Sequence, residues 1–185
     1  MNKEKYWIKV FKKIVNNREF SLDFTDRPIT FITGPNGYGK STILKDILKC
    51  NVGSYLYDSL TELGRIKLMK EDIPDSYMTL SLKDETLLGS LLGYNRKVLC
   101  LELSDGELQL ELLYRFLVSH KNTIVLVDTP EIFLHMSEQI RFYNNLVRIQ
   151  EYTGSQYIIA TQSPIIFNSN WSLAIDLFDN AAEIG

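Results

Sequence analysis

The 185-residue sequence lacks the marks of a secreted, disulfide-bonded or membrane-spanning protein. Its two cysteines, Cys50 and Cys100, stand far apart, with no CxxC pair and no neighbouring histidine. This spacing argues against a disulfide framework or a zinc site and is typical of free thiols in a reducing cytosol. The N-terminus has no apolar signal-peptide core, and no stretch approaches the roughly 18 apolar residues that span a bilayer. We therefore expect a cytoplasmic protein without a membrane segment.

Clustered positive charge is scarce as well. The sequence has 20 Lys and Arg residues against 23 Asp and Glu, a net charge of −3, and no Lys/Arg run longer than two. It therefore carries no strong electrostatic footprint for nucleic acid, although folding could still build a local basic patch. What is present is ordinary globular composition, 45% hydrophobic and 23% charged, which predicts a single domain over residues 1–185.

The hydrophobic periodicity alternates between strand and helix patterns. It predicts strands at 6–11, 19–24, 28–33, 123–127, 157–161 and 173–178, and helices at 41–50, 104–120 and 137–152. Asn16, Asn17 and Arg18 predict a hairpin turn between the first two strands. Residues 51–102 mix both patterns, and we interpret them as a small, mostly helical insert. The alternation predicts an α/β fold with a mainly parallel central sheet, N-terminal antiparallel strands and that insert.

The segment GPNGYGKS, residues 34–41, matches the GxxxxGK[ST] pattern of a phosphate-binding loop. Glycines allow such a loop to curl, so that backbone N–H groups and the start of the next helix face phosphate oxygens. Lys40 would contact the β- and γ-phosphates, and the Ser41 hydroxyl would bind Mg²⁺. A Gly-rich strand–helix turn with a solvated lysine is the alternative. The nucleotide-binding residues that we predict here are Gly34, Asn36, Gly37, Gly39, Lys40, Ser41 and Thr42. Together they predict a P-loop NTPase.

Three further segments follow the loop in order. LSDGELQ, residues 103–109, contains the S-x-x-E pattern of a capping box, and Gly106 leaves the N–H groups of that helix start open to a phosphate. Asp128 ends a buried strand, which is a suitable position for a metal-side acid. TQSP, residues 161–164, ends the next strand in polar residues.

This series resembles an ABC-type ATPase head of the SMC-like and overcoming-lysogenization-defect-like branch. That branch typically shows GPNGxGKST, LSxGEQQ, DEPExxLHP and THSP, where this chain has GPNGYGKST, LSDGELQ, DTPEIFLHM and TQSP. The resemblance implies ATP and Mg²⁺ as cofactors, with Ser41 and Asp128 on the metal side. It also implies an ATP-dependent homodimer in which Ser104 and Gly106 of one subunit cap the γ-phosphate held by the other. The short segment between Lys40 and Ser104 has no heptads, so this would be a head without coiled-coil arms.

Three departures from the family pattern all affect hydrolysis. Thr129 replaces the glutamate that polarises the attacking water, and a threonine hydroxyl is not a base near pH 7. Gln162 replaces the histidine of THSP, so it can donate a hydrogen bond but cannot shuttle a proton. The family's glutamine between the loop and the signature is missing, since no Gln occurs between Lys40 and Gln109. An Asp, Glu or Ser of 51–102 could replace it.

Glu131 is the candidate to replace the missing base, because it matches the second acid of DEPE. The alternative is a structural acid in a first helical turn after Pro130. His135 matches a segment that usually lies at the dimer interface, with structural packing an equal alternative. Thr129, Glu131 and Gln162 are thus the residues on which turnover depends.

These observations predict an ATP-binding module that dimerises around ATP and Mg²⁺ and switches a partner effector, such as a toxin or nuclease, with slow or absent hydrolysis. The resemblance is to small ATPases of bacterial or phage conflict systems and to DNA-repair heads. The main alternative is a competent ATPase acting on DNA ends or damage. A phosphotransferase and a nucleotide-free scaffold are weaker alternatives.

Overall fold

The computed structural model describes residues 7–15, 17–59, 61, 80–93, 104–132, 134–165 and 174–183. The described part contains four helices of eight or more residues and eight strands. In chain order they are β1 (Val10–Val15), β2 (Arg18–Asp23), β3 (Ile29–Thr33), α1 (Lys40–Cys50), β4 (Ser54–Asp58), α2 (Leu82–Leu92), α3 (Asp105–Ser119), β5 (Ile124–Asp128), α4 (Met136–Thr153), β6 (Gln156–Ala160), β7 (Ala174–Asp176) and β8 (Ala181–Glu183). No helix in these ranges is long and apolar enough to cross a membrane.

The central sheet has five parallel strands in the order β4-β5-β6-β3-β7. Its three inner strands β3, β5 and β6 are buried along their whole length, because helices and other elements cover both faces of the sheet. All five strands end at the same edge. The residues that follow β3, β5 and β6 are therefore brought side by side, although they are far apart in the chain.

A smaller antiparallel sheet, in the order β1-β2-β8, packs beside the central one. Asn17 at its hairpin turn has a φ of 60°, the left-handed conformation that Asn tolerates in tight turns. The turn that the sequence predicts at this point is confirmed. Strand β8 was not predicted, because three residues near the end of the chain give no periodic signal.

Two apolar clusters lie on opposite faces of the central sheet. Alternate residues of β5 show the division, since Val125 and Val127 join one cluster while Ile124 and Leu126 join the other. The first cluster includes side chains of α2, α3 and α4, and the second includes side chains of α1 and of the β1–β2 hairpin. The hairpin is thus held against α1, directly beneath the loop that precedes this helix.

The α/β fold with a mainly parallel sheet and N-terminal antiparallel strands is confirmed, with two local differences from the sequence prediction besides β8. The first strand spans Val10–Val15, later than the predicted 6–11. Ser54–Asp58, which we had included in the helical insert, forms strand β4 and pairs in parallel with β5 at the edge of the sheet. A helix is present within the predicted insert at Leu82–Leu92, whereas residues 62–79 and 94–103 lie outside the described ranges.

Candidate functional site

The loop between β3 and α1 has the backbone of a phosphate cradle. Gly34, Gly37 and Gly39 have φ values of 131°, 79° and 90°, which only glycine adopts without strain. Gly39 also packs tightly, since a Cβ at this position would lie 2.7 Å from Cγ1 of Val15 in the hairpin. The glycines therefore set both the curl of the loop and its contact with the N-terminal sheet.

Lys40 is the first residue of α1, and its side chain is buried beneath the loop. Its Nζ donates hydrogen bonds to the carbonyl oxygens of Gly34 at 2.6 Å and Pro35 at 3.0 Å. Desolvation lowers the pKa of Lys40, and the nearby carboxylates of Glu131, Asp128 and Asp176 oppose this effect. The lysine thus brings a partly desolvated positive charge to the loop, where a phosphate would lie. Asn36 and Thr42 are exposed at the mouth of the same loop.

Asp128 ends β5 and faces α1, with only 5% of its surface exposed. Burial raises the pKa of its carboxyl, and the adjacent charge of Asp58 adds to this effect, while a hydrogen bond with Ser41 and the charges of Lys45 and Lys40 oppose it. Among the described residues its Oδ1 has no hydrogen-bond partner. A buried oxygen that lacks a partner and lies beside a serine hydroxyl fits a Mg²⁺ ion, which prefers oxygen ligands.

The described residues contain no cluster of three or more His, Cys, Asp or Glu side chains that could hold a metal by itself. Any Mg²⁺ here would therefore depend on phosphate and water oxygens in addition to the protein. This is the usual pattern for Mg²⁺ in nucleotide sites, where one or two side chains suffice. Ser41 and Asp128 fit this role.

Thr129 follows Asp128 in a strained conformation. Its φ is 49°, in the left-handed region that a β-branched residue rarely adopts, and its N–H donates to the carbonyl of Ala160 at 2.9 Å. The chain thus leaves the sheet abruptly at the position where the resemblance places a catalytic glutamate. Strain of this kind costs about 1–3 kcal/mol and is found preferentially at functional sites.

Glu131 is close to the loop lysine, but both of its carboxylate oxygens are hydrogen-bonded. Oε1 accepts from the backbone N–H of Gln162 at 2.6 Å, and Oε2 accepts from the hydroxyl of Thr161 at 2.9 Å. The residue therefore joins the segment after β5 to the segment after β6. The carboxylate is engaged as an acceptor, which favours a positioning role over proton abstraction.

A second set of hydrogen bonds ties the same two segments to α4. Gln139 on α4 accepts from the Ser163 hydroxyl at 2.7 Å and donates to the carbonyl of Leu134 at 2.8 Å. The N–H of Ser163 in turn donates to Oγ1 of Thr161 at 3.0 Å. With Glu131 these contacts form a connected polar network, which holds the backbone of Gln162 while leaving the Gln162 side chain exposed.

Comparison with known proteins agrees with this geometry. An "AAA domain" family model matches residues 8–73, and the model described as "AAA domain, putative AbiEii toxin, Type IV TA system" matches residues 57–168, more than half of the chain. The chain belongs to this AAA-domain family of ABC-type, SMC-like ATPase heads.

Among individual proteins, the head is 27% identical over 157 residues to the "Zinc import ATP-binding protein ZnuC" of Haemophilus influenzae, covering 77% of this chain. The chain spans 58% of the length of that relative. An "ABC transporter (ATP-binding protein)" structure from Pyrococcus furiosus aligns with a TM-score of 0.61 at 14% identity, covering 95% of this chain and 96% of the other. The "SMC head domain from Thermotoga maritima" aligns with a TM-score of 0.59 at 16% identity, covering 87% and 92%. These two structures establish the fold.

The signature segment of the head opens α3. Ser104 is exposed and caps this helix, because its hydroxyl accepts from the N–H of Glu107 while the Glu107 carboxylate accepts from the N–H of Ser104 at 2.9 Å. Gly106 lies in the first turn and has no side chain at its own position there. The capping box predicted from the sequence is confirmed. The Ser104 hydroxyl also donates to Oε2 of Glu107 at 2.7 Å, so the contacts described for Ser104 all lie within its own cap, and the residue remains exposed at the helix start.

The structure also brings residues to the head's site that sequence reasoning did not assign. Asp58 ends β4 opposite Asp128, and only its place in the sheet reveals this pairing. Tyr38 lies under the guanidinium of Arg18, 4.2 Å from the ring centre, with the exposed Phe178 ring 6.0 Å away. The sequence predicts Arg18 in a turn and assigns no role to Tyr38. His135, for which the sequence leaves an interface role and a packing role open, is exposed at the start of α4, where Glu138 accepts from its N–H.

Proposed function

We propose that residues 1–185 form one ATPase head that binds ATP with Mg²⁺, dimerises around the nucleotide and switches a partner effector, with slow intrinsic hydrolysis. The observation that carries the proposal is the contrast at the ends of neighbouring strands. The phosphate-binding loop and the metal-side acid are complete, whereas the water-activating position holds Thr129. Glu131, the next acid along the chain, is engaged by two donors.

Each binding group has a defined part. The N–H groups of the loop and of the α1 start would hold the phosphates, and Lys40 would exchange its carbonyl partners for phosphate oxygens. Ser41 and Asp128 would hold Mg²⁺, which supplies charge neutralisation when bound. Gln162 could donate a hydrogen bond to the terminal phosphate from its exposed side chain.

Slow hydrolysis follows from the groups available to activate water. Thr129 has a hydroxyl but no basic group, and loss of a positioned base typically costs about 10²- to 10⁴-fold in rate. The output of the head would then be the dimer that ATP stabilises rather than rapid turnover. Any ligand that binds the closed dimer better than the monomer shifts the population toward it.

A protein effector is proposed as the partner because the matched family model is described by a toxin and a toxin–antitoxin system. A role in bacterial or phage defence would follow from that connection. The net charge of −3 gives no support to nucleic acid as the main partner.

Sizing the protein with and without ATP and Mg²⁺ tests the dimer. We expect a monomer that becomes a dimer with nucleotide, and a Ser104→Arg variant that stays monomeric. Ser81→Ala is the matched control, because Ser81 caps α2 through the same reciprocal box with Asp84 and lies outside the signature. An ATP-independent monomer, or equal effects of the Ser104 and Ser81 variants, would contradict the proposal.

The second candidate is a competent ATPase acting in DNA repair, with Glu131 as the base. It is favoured by the proximity of Glu131 to Lys40, where its charge opposes the lowering of the lysine pKa. Hydrolysis above about 1 s⁻¹ without a partner, within the ordinary range for enzymes, would support this candidate.

A further inference from the structure

Asp58 and Asp128 occupy matching places in the central sheet. Each is the last residue of its strand, and the two are direct partners in the parallel register of β4 and β5. Neighbouring strands lie about 4.8 Å apart, and partners in register share a face of the sheet. Both carboxylates accordingly interact with Lys45 of α1, the helix that also carries Ser41. Two acids and a serine hydroxyl thus meet at the carboxyl edge of the sheet.

The ion pair between Lys45 and Asp58 is weak. Lys45 is 4.0 Å from Oδ2 of Asp58, at the limit of an ion pair, and 53% of its side chain is exposed. An exposed pair of this kind contributes about 0–1 kcal/mol, so Lys45 alone does not offset two neighbouring acids. Asp128 gives a second, independent indication that a ligand binds here. It is 95% buried, and its Oδ1 has no hydrogen-bond partner among the described residues.

Asp58 also has a structural explanation that must be weighed. Its Oδ1 accepts from the N–H of Thr61 at 3.3 Å, so it caps the turn that follows β4. A cap of this kind needs only one oxygen, and Ser, Thr or Asn would serve equally well. It does not explain why an acid is placed directly opposite the buried Asp128, where its charge raises the pKa of the Asp128 carboxyl.

We propose that Asp58 is a second acidic group of the Mg²⁺ site, in the place of the glutamine that ABC-type heads carry between loop and signature. The inference rests on the proposed binding of ATP with Mg²⁺. An acid in place of a neutral amide adds a negative charge, so it attracts the cation and repels nucleotide that arrives without it. Binding of ATP to this head is therefore coupled to Mg²⁺ more strongly than an amide would allow.

Asp58→Asn gives this coupling a signed test. Affinity for a fluorescent ATP analogue is measured in EDTA and in saturating Mg²⁺, and the ratio of the two dissociation constants reports the coupling. In the variant we expect binding in EDTA to tighten about threefold and binding in Mg²⁺ to weaken about threefold. The ratio then falls about tenfold, a coupling loss of about 1.4 kcal/mol. A role in capping alone would move neither value, since Asn keeps the acceptor for Thr61.

Two further variants separate the metal role from the ion pair and from general charge. Lys45→Met removes the lysine of this ion pair and keeps the acid, so the Mg²⁺ enhancement should persist. Asp46→Asn removes a nearby α1 acid that pairs with Lys13 and Lys49, and should leave the ratio unchanged. If its melting temperature shows that Asp58→Asn is poorly folded, Asp58→Gln takes its place. This variant carries the family's amide and should show the same fall in the ratio.

The outcomes distinguish the two levels of the proposal. If the native protein binds ATP and Asp58→Asn leaves both dissociation constants within twofold, the Asp58 inference is wrong and the proposed function stands. If Lys45→Met lowers the ratio as Asp58→Asn does, the ion pair and not the metal explains the effect. If the native protein fails to bind ATP, the proposed function fails and the inference fails with it.

Discussion

Replacing Glu131 by Gln and by Ala distinguishes a catalytic base from a positioning residue. The Gln amide can reproduce both native contacts, with its oxygen accepting from the Gln162 N–H and its NH₂ donating to the Thr161 hydroxyl. Ala leaves both groups without their partner. The two substitutions remove the same potential base and differ in whether the connection between the segments survives.

The structure gives the size of each effect. Hydrogen bonds to charged acceptors contribute about 1.5–3 kcal/mol, but water can replace the partner of the exposed Gln162 N–H, so Glu131→Ala should cost about 2–3 kcal/mol. A chain of this length loses about 2–4 °C in melting temperature per kcal/mol, which gives a decrease of about 4–12 °C. Glu131→Gln should cost about 1 kcal/mol or less, since only the charge is lost.

The assay is single-turnover hydrolysis of ATP with Mg²⁺, read together with thermal unfolding. For a positioning residue we expect Glu131→Gln to keep the rate within about fivefold, the factor that corresponds to about 1 kcal/mol. We expect Glu131→Ala to lose more of both rate and stability, because the segment that presents Gln162 loosens. Glu131→Gln should therefore retain the hydrolysis rate and the stability that Glu131→Ala loses.

One result would refute this reasoning. If Glu131→Gln lowers the single-turnover rate by about 100-fold or more while its melting temperature stays within about 4 °C of native, the carboxylate acts as a base. The head would then be a competent ATPase, and the slow-switch proposal would fail.

Three further predictions concern other parts of the molecule. Gly39→Ala should destabilise the protein by about 1–3 kcal/mol more than Gly37→Ala in thermal unfolding. Both substitutions strain a left-handed backbone, but only a Cβ at Gly39 would clash with the hairpin. Equal losses of stability would contradict this. Thr129→Glu should raise single-turnover hydrolysis by about 100-fold or more by restoring a base, and an unchanged rate would show that the step is limited elsewhere. Burial tends to raise the pKa of Asp84, but hydrogen bonds from Lys121, Ser81 and Tyr152 outweigh it and lower the pKa to about 2. The stabilisation of the native chain relative to Asp84→Asn should therefore be full above about pH 4 and disappear as the pH falls toward 2, as measured by urea unfolding.

Sequence reasoning was most accurate where the chemistry is local. The phosphate-binding loop, the turn at Asn17 and the Ser104 cap each depend on residues within a few positions of one another, so spacing alone specifies them. Asp128 could be placed at a strand end for the same reason, since a buried apolar run stops there.

What escaped prediction depends on contacts between distant segments. SYLYD alternates too weakly to show that it pairs with β5, and this pairing alone places Asp58 beside Asp128. Glu131 could be assigned from sequence to either catalysis or structure, and the choice depends on donors 30 and 31 positions away in the chain. The left-handed conformation of Thr129 likewise accompanies a hydrogen bond to Ala160 on the neighbouring strand, which no local pattern reports.

The polar network around Gln139 has a mechanical consequence. Apolar contacts allow surfaces to slide, whereas hydrogen bonds hold donors and acceptors at fixed distances and angles. Gln139 forms hydrogen bonds with Leu134 on one side and Ser163 on the other. The first turn of α4 is therefore connected to both segments that border the phosphate-binding loop. A rotation of this turn would move the two segments together. Binding of a partner at the outer surface of α4 would therefore be coupled mechanically to the position of the groups around the nucleotide.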